Sequence, residues 1–156
     1  MHKRIKLFIV IAVLFATACN DQATDTPRKN AYSDKPVSKA DSLRQEVMEG
    51  HDVGMAKIIY IRRYSAQIQL KLDSLNKLPP KQQDKQYQQT LVALHQALQN
   101  ADKGMSTWMD KYKDDTLKDN EPLRIQYLES EKVKVDKVKT EILESLSRAD
   151  SLLKQR

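Results

Sequence analysis

The 156-residue sequence has little of what catalytic and metal sites usually need: one cysteine, three glycines and one tryptophan. A single cysteine excludes an intrachain disulfide and a cluster of thiolate metal ligands. Three scattered glycines leave no glycine-rich phosphate-binding loop, and no serine nucleophile motif accompanies the histidines. Neither His51 nor His95 has a glutamate three residues before it, as a di-iron carboxylate bundle would need. We therefore expect a protein that is not an enzyme.

The cysteine stands at the end of a segment that is typical of a secretory signal. Residues 3–6 include three basic side chains, residues 7–15 are all apolar, and residues 16–18 are small. Nine apolar residues are too few to span a bilayer permanently. This order predicts a lipoprotein signal peptide over residues 1–18 and a lipidated Cys19, although position 16 is alanine where lipoboxes most often carry leucine. The alternative is an ordinary signal peptide that a cysteine happens to follow.

Removal of this signal would change the charge of the chain. The full sequence has 27 basic and 21 acidic side chains, and the mature chain would keep 24 of the basic ones, for a formal charge of +3. Weak basicity and few aromatic residues argue against nucleic acid as a partner. Residues 19–37 are polar without an apolar period, which predicts a flexible tether behind the lipid. We expect a location in the cell envelope, at the outer membrane, with an unknown envelope protein as the second partner.

Residues 38–156 are predicted to form an all-α, antiparallel three-helix bundle that resembles a coiled-coil rod. Apolar residues recur every three or four positions over residues 38–78, 80–112 and 120–155, with no competing strand pattern. Ser38, followed three residues later by Asp41, indicates the cap of the first helix. Small and polar residues dilute the apolar positions. We therefore expect a narrow core, and either modest stability or an exposed stripe that a partner, such as a second copy of the chain, covers.

The stretch EVMEGHDVGM, residues 46–55, differs in composition from the rest of the first helix. Folding the first two helices back on each other about residues 79–80 places His51 opposite Trp108 and Gly54 opposite Met105. The third helix then brings Tyr127 to the same height. All three glycines, the tryptophan and the four methionines of the mature chain are therefore predicted to lie together at one level of the bundle.

Two interpretations of this level stay open. In the first it is packing: glycines make room for Trp108, methionines fill gaps around it, and a half-buried His51 bonds Glu131, Tyr127 or water. In the second it is a soft-metal site, because imidazole and thioether donors suit Cu(I). A haem held by His and Met would need a wider pocket than three thin helices provide. The candidate residues of the metal site are His51, Met48, Met55, Met105 and Met109, with Trp108 covering the metal and Asp52, Tyr127 and Glu131 as further polar neighbours.

The motifs EVMEGHDVGM and GMSTWM, placed after a lipobox and a polar tether, resemble a family of small Bacteroidetes-type helical lipoproteins. Proteins of this family are sometimes labelled viral A-type inclusion proteins. The family usually has H-D-E-V-M where this sequence has H-D-V-G-M, so an acid two residues after the histidine is missing here. The resemblance implies an exported helical lipoprotein and implies no particular activity.

These observations lead to two hypotheses from different classes. We expect a lipid-anchored helical bundle of the cell envelope that acts as a non-enzymatic interaction or scaffold module and has no cofactor. The alternative is a periplasmic lipoprotein that binds Cu(I) through the histidine, methionine and tryptophan residues.

Overall fold

A computed structural model describes residues 35–154, and these residues form three long helices. Helix α1 spans Lys39–Asn76, α2 spans Lys85–Lys111, and α3 spans Glu121–Lys154. Each helix packs against the other two, and no strand occurs between residues 35 and 154. The predicted all-α three-helix bundle is therefore confirmed. The predicted signal peptide, the lipidated Cys19 and most of the tether lie outside the described residues. Among the described helices, none is both long enough and apolar enough to cross a membrane.

Contacts between side chains define the helix directions. Lys39 pairs with Glu129 and Tyr64 bonds Asp150, so α1 and α3 run parallel. On α2, Asp102 pairs with Arg62 of α1, while residues later in α2 contact earlier parts of α1. Helix α2 is therefore antiparallel to both neighbours, as an up-down-up connection by two turns requires.

The cap of α1 agrees with the sequence prediction, whereas the start of α2 does not. The Ser38 side chain accepts a hydrogen bond from the Asp41 backbone N–H at 3.1 Å. The two prolines begin a short 3₁₀ helix, Pro80–Gln82, instead of opening α2 at position 80. Helix α2 begins only at Lys85, because the Asp84 side chain caps it by accepting from the Tyr87 N–H at 2.9 Å.

The core is a single narrow column of side chains between the three helices. Its apolar members follow the predicted spacing of three and four residues. Three buried polar side chains interrupt it on α3, namely Arg124, Glu131 and Ser145. The largest fully buried side chains are Val47, Ile61, Ile68, Leu91, Leu94, Leu98, Met105, Leu128, Val135 and Ile142.

The turn between α2 and α3 is held by charged hydrogen bonds. Arg44 donates two bonds to the Asp114 carboxylate, at 2.6 and 2.7 Å, and this pairing lowers the pKa of Asp114 below its usual range. Buried Arg124 donates to the backbone carbonyls of Asp114 and Thr116, each at 3.0 Å. Leu117 has a φ of 58°, a left-handed conformation that suits a tight turn. This turn therefore gives α2 and α3 a fixed connection next to Trp108.

Candidate functional site

Trp108 lies at the centre of the compositionally unusual level of the bundle. Its indole Nε1–H donates to Glu131 Oε2 at 3.0 Å, across the interface between α2 and α3. The other Glu131 oxygen accepts a bond from Lys134 Nζ at 2.6 Å. A buried carboxylate requires such partners, because its desolvation is otherwise costly. Glu131, predicted as a partner of His51, is instead the group that fixes the orientation of Trp108.

Four aromatic rings form a continuous row around Trp108, which we call the aromatic end of the bundle. Tyr112 stacks on Trp108 with ring centroids 4.9 Å apart, and Tyr127 stacks on Tyr112 at 6.2 Å. The His51 ring also contacts Trp108, with ring centroids 5.7 Å apart and the rings tilted by 38°. The Tyr127 hydroxyl accepts a hydrogen bond from the Lys113 backbone N–H at 2.9 Å. Tyr127 is thus the last ring of the row and also links α3 to the turn that follows α2. Burial and the neighbouring Asp114 carboxylate raise the pKa of Tyr112.

Gly50 and Gly54 let α1 pack closely against its neighbours, and neither of them makes space for Trp108. A Cβ added at Gly54 would overlap the terminal methyl of Met105, and one at Gly50 would lie 3.1 Å from a Val135 methyl. Gly104 differs from both, because its nearest neighbour would be Val138 at 3.7 Å. Gly54 therefore lies against Met105, as the hairpin register predicts, and the space it leaves is taken by Met105 and not by the Trp108 ring.

The structure divides the predicted metal ligands into three groups. His51 Nε2 and Met109 Sδ lie 3.3 Å apart, beside the Trp108 ring. Met105 is 1% exposed and lies in the core against Gly54. Met48 is half-buried and Met55 is 38% exposed, one turn before and one turn after His51 on α1. The contact that the structure establishes is therefore His51 with Met109.

Asp52 orients the imidazole of His51. Its Oδ1 lies 2.9 Å from His51 Nδ1. A carboxylate only accepts hydrogen bonds, so Nδ1 carries the proton, and in the neutral ring the lone pair of Nε2 points to the sulfur of Met109. Within residues 35–154 no three His, Asp or Glu side chains converge on a point that could hold a metal ion. A metal site at this level would therefore need methionine sulfur as a donor beside the His51 nitrogen.

A groove between α2 and α3 was missed by the sequence reasoning. Its volume is about 570 Å³. Gly104, Trp108 and Val138 form its floor, and we call it the lysine-rimmed groove because four lysines border it. The signal was present in the sequence as lysines spaced along both helices around a glycine, but only the packing of α2 on α3 brings them together. The residues lining the groove are Asn100, Lys103, Gly104, Thr107, Trp108, Lys111, Glu131, Lys134, Lys137, Val138 and Glu141.

The charges on the two walls of this groove differ. On α3, Lys134 pairs with Glu131 at 2.6 Å, and Lys137 lies 4.0 Å from Glu141. On α2, Lys103 and Lys111 have no ion pair within the described part of the chain. The α2 wall is therefore the one with cationic groups available to a bound anion.

The second histidine of the described chain lies away from both features. His95 is half-buried in a shallow hollow between α1 and α2 that Ser65, Leu98 and Asp102 also line. His95 is thus a matched control for any role of His51.

Comparisons with protein-family models, with curated protein sequences and with solved structures each found no match, so the resemblance to Bacteroidetes-type lipoproteins stays a prediction that rests on two short motifs.

Proposed function

We propose that this protein is a non-enzymatic interaction module of the cell envelope, anchored by lipid on Cys19, which binds an acidic amphipathic helix of a partner protein. The observation that carries the proposal is the lysine-rimmed groove. It combines apolar lining residues with a cationic border of four lysines. Such a groove between two helices is a common receptor for a third helix.

The floor of the groove suits a bulky apolar side chain of the partner. Gly104 has no side chain, and a Cβ placed there would be in ordinary van der Waals contact with Val138 at 3.7 Å, so a small residue here keeps the groove shallowly lined by backbone. Trp108 and Val138 lie on either side of it. A tryptophan held by a hydrogen bond to Glu131 presents a rigid apolar surface, and rigid aromatic residues are frequent anchors of protein interfaces.

The border of the groove selects the charge of the partner. Lys103 and Lys111 are eight residues apart on α2, which corresponds to about 12 Å along the helix axis. A partner helix with two carboxylates at a similar spacing, and apolar residues between them, would pair with both lysines. Complementary charge of this kind mainly increases the association rate and the discrimination against other partners.

The experiment uses the full, membrane-attached chain with a photo-crosslinking amino acid at Thr107, inside the groove. We expect an adduct with a protein whose crosslinked segment is an acidic amphipathic helix, and no such adduct from the same probe at exposed Gln67 on α1. The double variant Lys103→Glu/Lys111→Glu should abolish the adduct. The charge-matched variant Lys81→Glu/Lys85→Glu should retain it, because Lys81 lies just before α2 and Lys85 is its first residue, at the opposite end of the helix from Lys111.

Two results would contradict the proposal. An adduct that survives reversal of Lys103 and Lys111 would show that these lysines do not select the partner. A crosslinked segment without acidic residues would exclude the proposed chemistry of the ligand. The lipid anchor is tested separately by incorporation of labelled fatty acid, which we expect in the natural chain and not in Cys19→Ser.

A further inference from the structure

The contact between His51 and Met109 places two soft metal donors at the edge where α1 meets α2. His51 Nε2 and Met109 Sδ are 3.3 Å apart, and Met109 is 38% exposed. Because the Asp52 carboxylate holds the proton on Nδ1, a neutral His51 presents a lone pair to a sulfur atom that also has only lone pairs. No hydrogen atom lies between the two donors in that state.

We propose that this pair binds Cu(I), or another soft monovalent ion of the same kind, between His51 Nε2 and Met109 Sδ. Imidazole nitrogen and thioether sulfur are donors that such an ion accepts, and donor type and geometry decide selectivity. With bonds of about 2.0 Å to nitrogen and about 2.3 Å to sulfur, lengths typical of a d¹⁰ ion, a trigonal arrangement would need the donors to separate by only about 0.4 Å. A methionine at a partly exposed position can make that adjustment, because its three rotatable bonds are flexible.

The third ligand of a trigonal site comes from α1. Met48 precedes His51 by three residues and Met55 follows it by four, so both share its face of the helix. Met109 follows Trp108 on antiparallel α2 and therefore lies towards the N-terminal side of His51 on α1, where Met48 is located. Met48 is therefore the third ligand. Met105 is excluded, because it is 1% exposed and packed against Gly54.

Two neighbours complete the site without ligating the ion. Asp52 fixes the tautomer and the direction of the imidazole, as carboxylates commonly do behind metal-bound histidines. The Trp108 ring, 5.7 Å from the imidazole, covers one side of the site, and an aromatic face attracts a cation. The bond from Trp108 to Glu131 holds that ring in place.

The test is a titration of the full chain in detergent micelles with Cu(I), without oxygen and against a chromophoric Cu(I) chelator. The fluorescence of Trp108 reports binding next to the ring. We expect saturation at one equivalent, an affinity loss of at least about tenfold in Met109→Leu and in His51→Ala, and a loss of roughly 10- to 100-fold in Asp52→Asn. Met105→Leu and His95→Ala are the matched controls and should bind as the natural chain does.

A second readout identifies the ligands directly. On addition of Ag(I), a soft ion that does not change its oxidation state here, the ε-methyl NMR signals of Met109 and Met48 should shift, and those of Met105 and Met55 should not. Equal affinity in Met109→Leu and the natural chain would overturn the proposal, as would the absence of saturable binding. A shift of Met55 in place of Met48 would overturn the assignment of the third ligand. Helicity measured by circular dichroism checks that each variant remains folded.

Discussion

The two halves of the bundle are built on different physical principles. The half that carries Ile61, Ile68, Leu91, Leu94 and Leu98, which we call the aliphatic half, has an apolar core, and its polar pairs between helices, Arg62 with Asp102 and Tyr64 with Asp150, lie at its surface. The aromatic end around Trp108 has buried Glu131 and Arg124, stacked rings and the bidentate pair of Arg44 with Asp114. Apolar packing is tolerant of substitution, whereas a buried polar network depends on every partner. The aromatic end is therefore the specific half of the molecule, and both proposed binding sites lie there.

The largest difference between the halves should appear when one large side chain is removed from each. We expect Trp108→Ala to cost about 3–5 kcal/mol and Leu98→Ala about 2–5 kcal/mol of unfolding free energy, measured by urea denaturation followed by circular dichroism. The two losses differ in kind. Trp108→Ala also leaves the Glu131 carboxylate without its indole donor. Adding Glu131→Leu should therefore recover part of the first loss, and no recovery would show that the hydrogen bond is unimportant.

A smaller loss of stability is expected from substitution of two of the three buried polar residues of α3, Glu131 and Ser145. Glu131→Gln keeps an acceptor for Trp108 and loses the charged partner of Lys134, so it should cost about 1–2 kcal/mol. Ser145→Ala should change the stability by less than about 0.5 kcal/mol, because the serine hydroxyl bonds only a carbonyl of its own helix. Equal costs at both sites would mean that the two halves do not differ in their polar interactions.

The loss of stability at acid pH should also differ between the two halves. Arg44 lowers the pKa of Asp114 from its usual 3.8, so this pair stabilises the fold above about pH 4 and the contribution is lost as the pH falls through the lowered value. Asp114→Asn should therefore flatten the profile below about pH 4, measured by thermal unfolding. Asp150→Asn is the control in the aliphatic half. Its pKa is also lowered, mainly by Lys154, but the carboxyl is exposed, so the change should be smaller.

The last comparison concerns the stability changes expected when a single methyl group is added at two glycines of neighbouring helices. Gly104→Ala should stabilise the fold by roughly 0.5–1 kcal/mol, because alanine favours a helix and the added methyl meets nothing closer than 3.7 Å. Gly54→Ala should destabilise it by about 1 kcal/mol, because its methyl displaces the buried Met105. Melting temperatures of the two variants measure this difference. Stabilisation by both would show that Met105 repacks freely.

The sequence predicts the aliphatic half well and the aromatic end only in part. Spacing alone places Ile61, Leu94 and Leu98 in the core, because periodic burial is a local property of a helix. It also pairs His51 with Trp108, because residues that lie level on two antiparallel helices have residue numbers with a nearly constant sum.

Other features depend on details that spacing does not contain. The hydrogen bond from Trp108 to Glu131 depends on how far α3 is shifted along the bundle axis relative to α2. The length of the connecting turn sets that shift. The exclusion of Met105 from the metal ligands depends on which side of α2 turns to Gly54. The lysine-rimmed groove depends on two helices at once and could not be found from either alone. The cap at Asp84 was missed because the two prolines gave the stronger local signal for a helix start.

The parallel arrangement of α1 and α3 places the start of α1 at the aromatic end. The chain enters α1 at Ser38, and Leu43 there packs in one cluster with Leu128, next to Tyr112 and Tyr127. Of the two ends of the bundle, the one that carries both proposed sites is therefore the one nearer in sequence to Cys19, the proposed point of lipid attachment. Attachment of the chain to the surface that holds its partner would raise the effective concentration of that partner without any new contact.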